Sequence, residues 1–308
     1  MDNKLKQQLH TKSKTAKYEQ RGKLASIMML VLIMVVVLGI IGFILIKGTS
    51  MFFNDKIKIS DFLFSTFWNP GGKTPTGNPA VGALPMIVGS FSVTLLAALV
   101  ATPFAVGTAI YMTELSSKRG AGVLQVVTEL LVGIPSVVYG FIGLTVVVPA
   151  VRHLFGGSGF GILAGTIVLF VMILPTIVSM TVDALKSVPN HYRQASLALG
   201  ATQWQTIWKV VLRSASPGIL TAVVFGMARA FGEALAVQMV IGNAALMPHN
   251  LVSPSATLTS VLTAGMGNTV MGSLQNNALW SLALLLLLMS LFFNLLIHLI
   301  GRKGAFKK

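Results

Sequence analysis

Arg229 and Glu233 stand four residues apart inside a long apolar run, PGILTAVVFGMARAFGEALAVQMVI over 217–241. A run of that length crosses a bilayer as a helix. A charged side chain within such a segment is costly and is normally turned toward a protein interior or a water-filled path. At helical spacing i, i+4 the two side chains share a face and can reach each other. Two readings stand on this spacing. Either the pair is a buried ion pair that neutralises itself, or it lines the path of a substrate or ion.

Other chemistry has no sequence support. There is no HExxH, no metal-spaced histidine cluster and no glycine-rich dinucleotide fingerprint. Gly72-Lys73-Thr74 matches the tail of a phosphate-binding loop, but the leading glycine would fall at Phe67, so the stretch reads as a turn. His10, His153, His191, His249 and His298 are scattered, and Glu129 and Asp183 at span ends read as interfacial residues rather than an acid–base pair. The chain has no cysteine, which excludes disulfides, thiolate metal sites and a cysteine nucleophile. No catalytic residue, metal site or cofactor is expected, so the chain does not read as an enzyme.

The elements that must position Arg229 and Glu233 are membrane helices. Of 308 residues, 54% are hydrophobic and 10% charged, and the mean hydropathy is +0.79, too apolar for a soluble domain. Six stretches of about 20 or more mostly apolar residues qualify as spans. They are 24–46, 86–113, 123–151, 159–182, 217–241 and 278–300. The first follows 23 polar residues and has no small-residue cleavage site, so it reads as an uncleaved anchor. Pro103, Pro135, Pro149 and Pro175 within or near spans point to kinked helices around a cavity.

The net charge of +15 is a topology signal. Seventeen Lys and Arg residues fall in 1–23, 114–122, 183–216 and 301–308, against five in 47–85 and 152–158 and none in 242–277. The positive-inside rule then places both termini in the cytoplasm. The expected organisation is a basic cytoplasmic segment 1–23, an anchor helix 24–46, an extracytoplasmic loop 47–85, a five-helix core 86–300 and a cytoplasmic tail 301–308. The loop 183–216 contains SLALGATQWQTIWKVVL, with Leu197, Leu199, Trp204, Ile207, Trp208 and Val211 at helix-like intervals. That pattern suits a helix pair, with a glycine between its halves, that either docks on another protein or lies in the lipid interface.

In that loop, Gln194-Ala195-Ser196, three residues, Gly200, and then Val210-x-Leu212 resembles the EAA loop of ABC-importer permeases. The glycine spacing matches; Gln194 replaces the usual Glu, Ser196 the second Ala, and Arg213 the final Pro. YMTELSSKRG at 111–120, ELLVGIPSVVYGFIGL at 129–144 and ARAFGEALAVQMVIGN at 228–243 resemble the PstC permease family of phosphate importers. So does Phe67-Trp68-Asn69-Pro70 ahead of Gly82-x-Leu84-Pro85. The resemblance covers most of 25–300.

It implies an all-α membrane protein with six transmembrane helices, the type I ABC-importer permease (MetI-like) fold. It also implies a PstA-like permease partner, a PstB-like ATPase dimer and an extracytoplasmic PstS-like phosphate-binding protein. Gln194, Ala195, Ser196, Gly200, Trp204 and Leu212 would contact the ATPase. Arg229 and Glu233 would belong to the substrate path, with the guanidinium fork matched to phosphate oxygens. Glu233 would accept from protonated phosphate or hold Arg229 between events. An ABC permease for molybdate or sulfate and a secondary transporter remain the alternatives. The first is disfavoured by 228–243, the second by the lack of an internal repeat.

Overall fold

The computed structural model describes residues 14–73, 77 and 79–304. Most of the basic segment 1–23, Thr74 of the glycine-lysine turn and the last four residues of the tail lie outside the described residues. The chain divides into two units, Met1–Lys47 and Gly48–Lys308. The first unit carries most of helix α1 (Lys14–Phe53), whose large apolar residues from Leu24 to Leu38 are all exposed. An apolar helix that buries nothing within its own unit suits lipid, the solvent in which exposed leucine and valine cost nothing.

In the second unit the chain passes through α2 (Ile59–Phe64), an antiparallel hairpin of β1 (Trp68–Lys73) and β2 (Pro79–Val81), and then α3 (Leu84–Leu115). Register pairs Trp68 with Val81 and Asn69 with Ala80. Next come α4 (Lys118–Gly133), α5 (Ser136–Phe155), α6 (Ile162–Lys186), α7 (Asn190–Ala198) and α8 (Gln203–Phe231). Short α9 (Leu235–Val240) and α10 (Leu258–Gly265) precede the last helix, α11 (Leu274–Gly304). Among the described residues six helices, α1, α3, α5, α6, α8 and α11, are long and apolar enough to cross a membrane.

The core is built on small residues. Ala97, Ala101, Ala105 and Ala109 recur every four positions on α3 and are fully buried, which lets α6 approach closely. Membrane helices pack this way because apolar side chains gain nothing by leaving lipid, so van der Waals fit decides. A second cluster joins Met51, Phe62, Val81, Met86, Leu258, Leu279 and Leu282. Within it Phe231 sits between Phe91 and Phe293, with ring centroids 5.6 and 5.2 Å away.

Two expected spans are redrawn. The third, expected over 123–151, is interrupted: Ile134 is extended at φ −71°, ψ 127°, and α5 starts only after Pro135. A residue before proline is pushed out of the helical region, so the break follows from Pro135 itself. The 16-residue α4 is therefore a separate helix of about 24 Å, shorter than a bilayer crossing. The fifth, expected over 217–241, starts at Gln203 and ends at Phe231. Pro217 lies inside this helix rather than at its start, and a turn at Gly232 precedes α9.

Candidate functional site

Arg229 occupies the last turn of α8. Its Nη1 donates to the Thr176 hydroxyl on α6, one residue beyond Pro175, whose nitrogen cannot donate. Among the described residues Thr176 is its one hydrogen-bond partner. A guanidinium has five N–H donors, so most of them are uncommitted. The side chain is half-buried, charged and tethered by a neutral hydroxyl.

Glu233 lies beyond the end of α8. The Glu233 N–H donates to the Ala230 carbonyl at 3.1 Å, a tighter turn than the α-helix, and the chain then enters α9. Its Oε1 accepts from the Ala236 N–H at 3.1 Å, and its backbone carbonyl accepts from Thr259 Oγ1 at 2.8 Å. The expectation that Arg229 and Glu233 reach each other is corrected here. Among the described residues a single ion pair lies within 4.0 Å, Arg193 with Glu114. The physical reason is the helix end: i, i+4 contact requires helix through position 233, and the turn at Gly232 carries the carboxylate forward to α9. The self-neutralising pair is thus absent, and Arg229 keeps donors and charge for another partner.

Hydroxyls surround Glu233. Ser90, Thr94, Thr257 and Thr259 line with it a cavity of about 10 Å³, room for about one water. All four are at most 4% exposed. Ser90 Oγ accepts from the Leu258 N–H at 2.9 Å, which fixes the start of α10 against α3. Gly89 makes that approach possible, because a Cβ there would collide with the Ala256 carbonyl. A larger cavity of 280 Å³ opens between the hairpin, α10 and α11. Its lining, Trp68, Pro70 and Gln275 included, has no ionisable side chain.

The resemblance-derived loop residues divide by direction. Gln194, Ala195 and Trp204 are exposed. Ser196 is turned inward, with its Oγ 2.9 Å from Thr206 Oγ1, and Leu212 packs on the core. Gly200 separates α7 from α8 at φ +81°, the left-handed region open to glycine. A capping box, with Thr202 Oγ1 accepting from the Gln205 N–H and Gln205 Oε1 from the Thr202 N–H, restarts the chain as α8. Leu199 at the tip is 90% exposed, and Trp204 and Trp208 stack at 6.2 Å with more than half of each exposed. Arg193, counted in the sequence among the basic residues of this loop, is bonded to Glu114 at 2.7 Å. Thr176, Thr259 and Glu114 had no signal in the sequence, since each partner lies tens of residues away.

Residues 101–304 match the family model described as the binding-protein-dependent transport system inner membrane component. The chain is 50% identical over 281 residues to a probable ABC transporter permease protein, YqgH, of Bacillus subtilis (strain 168), covering 91% of this chain and 90% of that one. It is 34% identical to the phosphate transport system permease protein PstC of Pasteurella multocida (strain Pm70), over 79% of this chain and 81% of the other. Among solved structures, an inward-facing MetNI methionine ABC transporter aligns with TM-score 0.53 at 21% identity, covering 73% of this chain and 95% of that chain. A bacterial ABC transporter importing alginate aligns with TM-score 0.62 at 14% identity, covering 96% and 100%. The two structural likenesses establish the all-α permease fold.

Proposed function

Because the chain belongs to the family of binding-protein-dependent transport system inner membrane components, we propose that it is a phosphate permease subunit of an ATP-driven importer. As a family member it is a multi-pass membrane transport component and not the catalytic part of the machine. The observation that carries the phosphate reading is Arg229. It is a permanently charged fork on a membrane-crossing helix, tethered by one hydroxyl and unopposed by a contacting carboxylate. Such a group binds a tetrahedral oxyanion through paired charge-assisted hydrogen bonds. The similarity to PstC permeases supports the same substrate.

In this reading a second, PstA-like permease completes the path. A PstS-like protein delivers phosphate from outside, and a PstB-like ATPase dimer docks on the α7–α8 loop in the cytoplasm, where both termini also lie. The exposed Gln194, Ala195, Leu199 and Trp204 form the docking surface, while Ser196 and Leu212 brace it from behind. ATP binding closes the ATPase dimer and opens the path outward; hydrolysis returns it. Each ligand biases one two-state element, which is what coupling requires. Glu233, held by α9 and α10, accepts from the hydroxyl of a protonated phosphate.

The test is ATP-dependent uptake of radiolabelled phosphate by the reconstituted complex, with sulfate and molybdate as competitors. Phosphate uptake that neither competitor reduces is expected. Uptake blocked by either competitor, or an absence of phosphate uptake while ATP is hydrolysed, overturns the substrate assignment.

A further inference from the structure

The end of α3 and the α7–α8 loop are joined by one guanidinium. Arg193 Nη2 donates to Glu114 Oε1 at 2.7 Å, and Nε lies 3.3 Å from both carboxylate oxygens. Nη1 donates to the Val188 carbonyl at 2.6 Å, and Nη2 also donates to the Leu185 carbonyl at 3.0 Å. The backbone carbonyl of Glu114 accepts from Gln203 Nε2 at 2.9 Å, at the start of α8. One cluster thus ties together α3, α6, α7 and α8. The charged groups are 18% and 10% exposed, so water screens the pair weakly.

The position of this cluster is mechanical. α7 carries the exposed tip, whereas α6 runs unbroken from Lys186, beside the cluster, to Thr176, the residue that holds Arg229. Ten residues of helix separate these ends, about 15 Å. α3 packs on α6 along the alanine stripe, so the two helices gripped by Arg193 also grip each other. A push on a loop tethered only by chain would be absorbed in the backbone turns at Val188–Pro189 and Gly200. A push on a loop bolted to two packed helices moves them too.

We propose that Glu114 and Arg193 are positioning residues. They form a strut that makes α7 move as one body with the ends of α3 and α6, so motion imposed on the loop reaches Arg229 through Thr176. The inference rests on the reading that the loop receives the ATPase, and not on which anion is carried. The strut sets how much hydrolysis is converted into movement, and leaves the rate of hydrolysis itself to the ATPase.

The test compares Glu114→Gln, Glu114→Ala and Arg193→Lys in the complete reconstituted complex. ATP hydrolysis, anion uptake and recovery of the ATPase with the permease are measured together. Hydrolysis and recovery should persist. Uptake per ATP should fall about tenfold in Glu114→Ala, the loss expected for a charge-assisted contact. It should fall less in Glu114→Gln, which keeps an acceptor oxygen, and in Arg193→Lys, which keeps the charge but not the fork.

A second readout needs no substrate. The chain has no cysteine, so Ser179→Cys on α6 gives a single thiol whose labelling rate should change on ATP binding, and this change should vanish with Glu114→Ala. If phosphate proves the wrong cargo, this readout still reports on the strut. The inference is overturned if uptake and hydrolysis fall in the same proportion, or if the thiol response survives Glu114→Ala. It is also overturned if the wild-type thiol does not respond, or if Glu114→Gln already loses the ATPase.

Discussion

Arg229→Met separates a charge that works alone from one that balances Glu233. In a contact ion pair within the protein, removing one partner costs about 3–5 kcal/mol, because the other charge is left uncompensated. Here Arg229 makes one hydrogen bond, to Thr176, and Glu233 is held by Ala236 and Thr259. Arg229→Met then loses a single charged hydrogen bond, about 1.5–3 kcal/mol, partly offset because methionine keeps the apolar stem buried. The two charges are not in contact, so what remains between them acts through space and is weaker than in a contact pair. A double-mutant cycle with Glu233→Gln, read by chemical unfolding of the complex in lipid, should therefore return a coupling below the roughly 3 kcal/mol of a contact pair. The transport result is the reverse of mild. Uptake should be lost in Arg229→Met and in Arg229→Met with Glu233→Met, at normal membrane levels of assembled complex. Arg229→Lys should be impaired by roughly 10- to 100-fold, since a point charge loses the paired geometry. A coupling of about 3 kcal/mol or more would refute the separation of the two residues. Near-normal uptake in the double Met variant would return Arg229 to a structural role.

Two further outcomes test the remaining readings. Gly200→Val should leave the protein inserted but lose the ATPase in pull-down; nothing lies within 4 Å of a Cβ at Gly200, so the cost comes from φ +81° alone. It should amount to about 1–2 kcal/mol, with Gly200→Asn tolerated better, and wild-type uptake with retained ATPase in the valine variant would contradict this. A reporter after Lys308 and one in the 183–216 loop should face the cytoplasm, while tags at Lys73 and Pro254 should be reachable from outside; external labelling of Gln203→Cys in intact cells would overturn that orientation.

Much of the membrane architecture was legible because it depends on local composition. A helix 20 residues long with few charges signals a span wherever it occurs, and six such helices are present among the described residues. The helix pair around Gly200 was legible for a related reason: apolar residues at helical intervals on both sides of a glycine specify two helices and a turn. Arg229 stood out as a charge inside an apolar run, and it does project from a crossing helix.

What the sequence could not decide is where polar groups end up once helices stop. The i, i+4 spacing of Arg229 and Glu233 promised contact only if the helix continued, and the turn at Gly232 withdrew it. A similar reading of 123–151 as one crossing failed at Pro135, although the proline was visible, because a proline within a span can kink a helix or end it. Arg193 and Glu114 lie 79 residues apart, and nothing local to either distinguishes a solvated charge from a clamp. Apolar periodicity is set by the surrounding medium and can be read residue by residue. Hydrogen bonds and ion pairs are short and directional, so their partners are fixed only when packing brings distant backbone ends within about 3 Å.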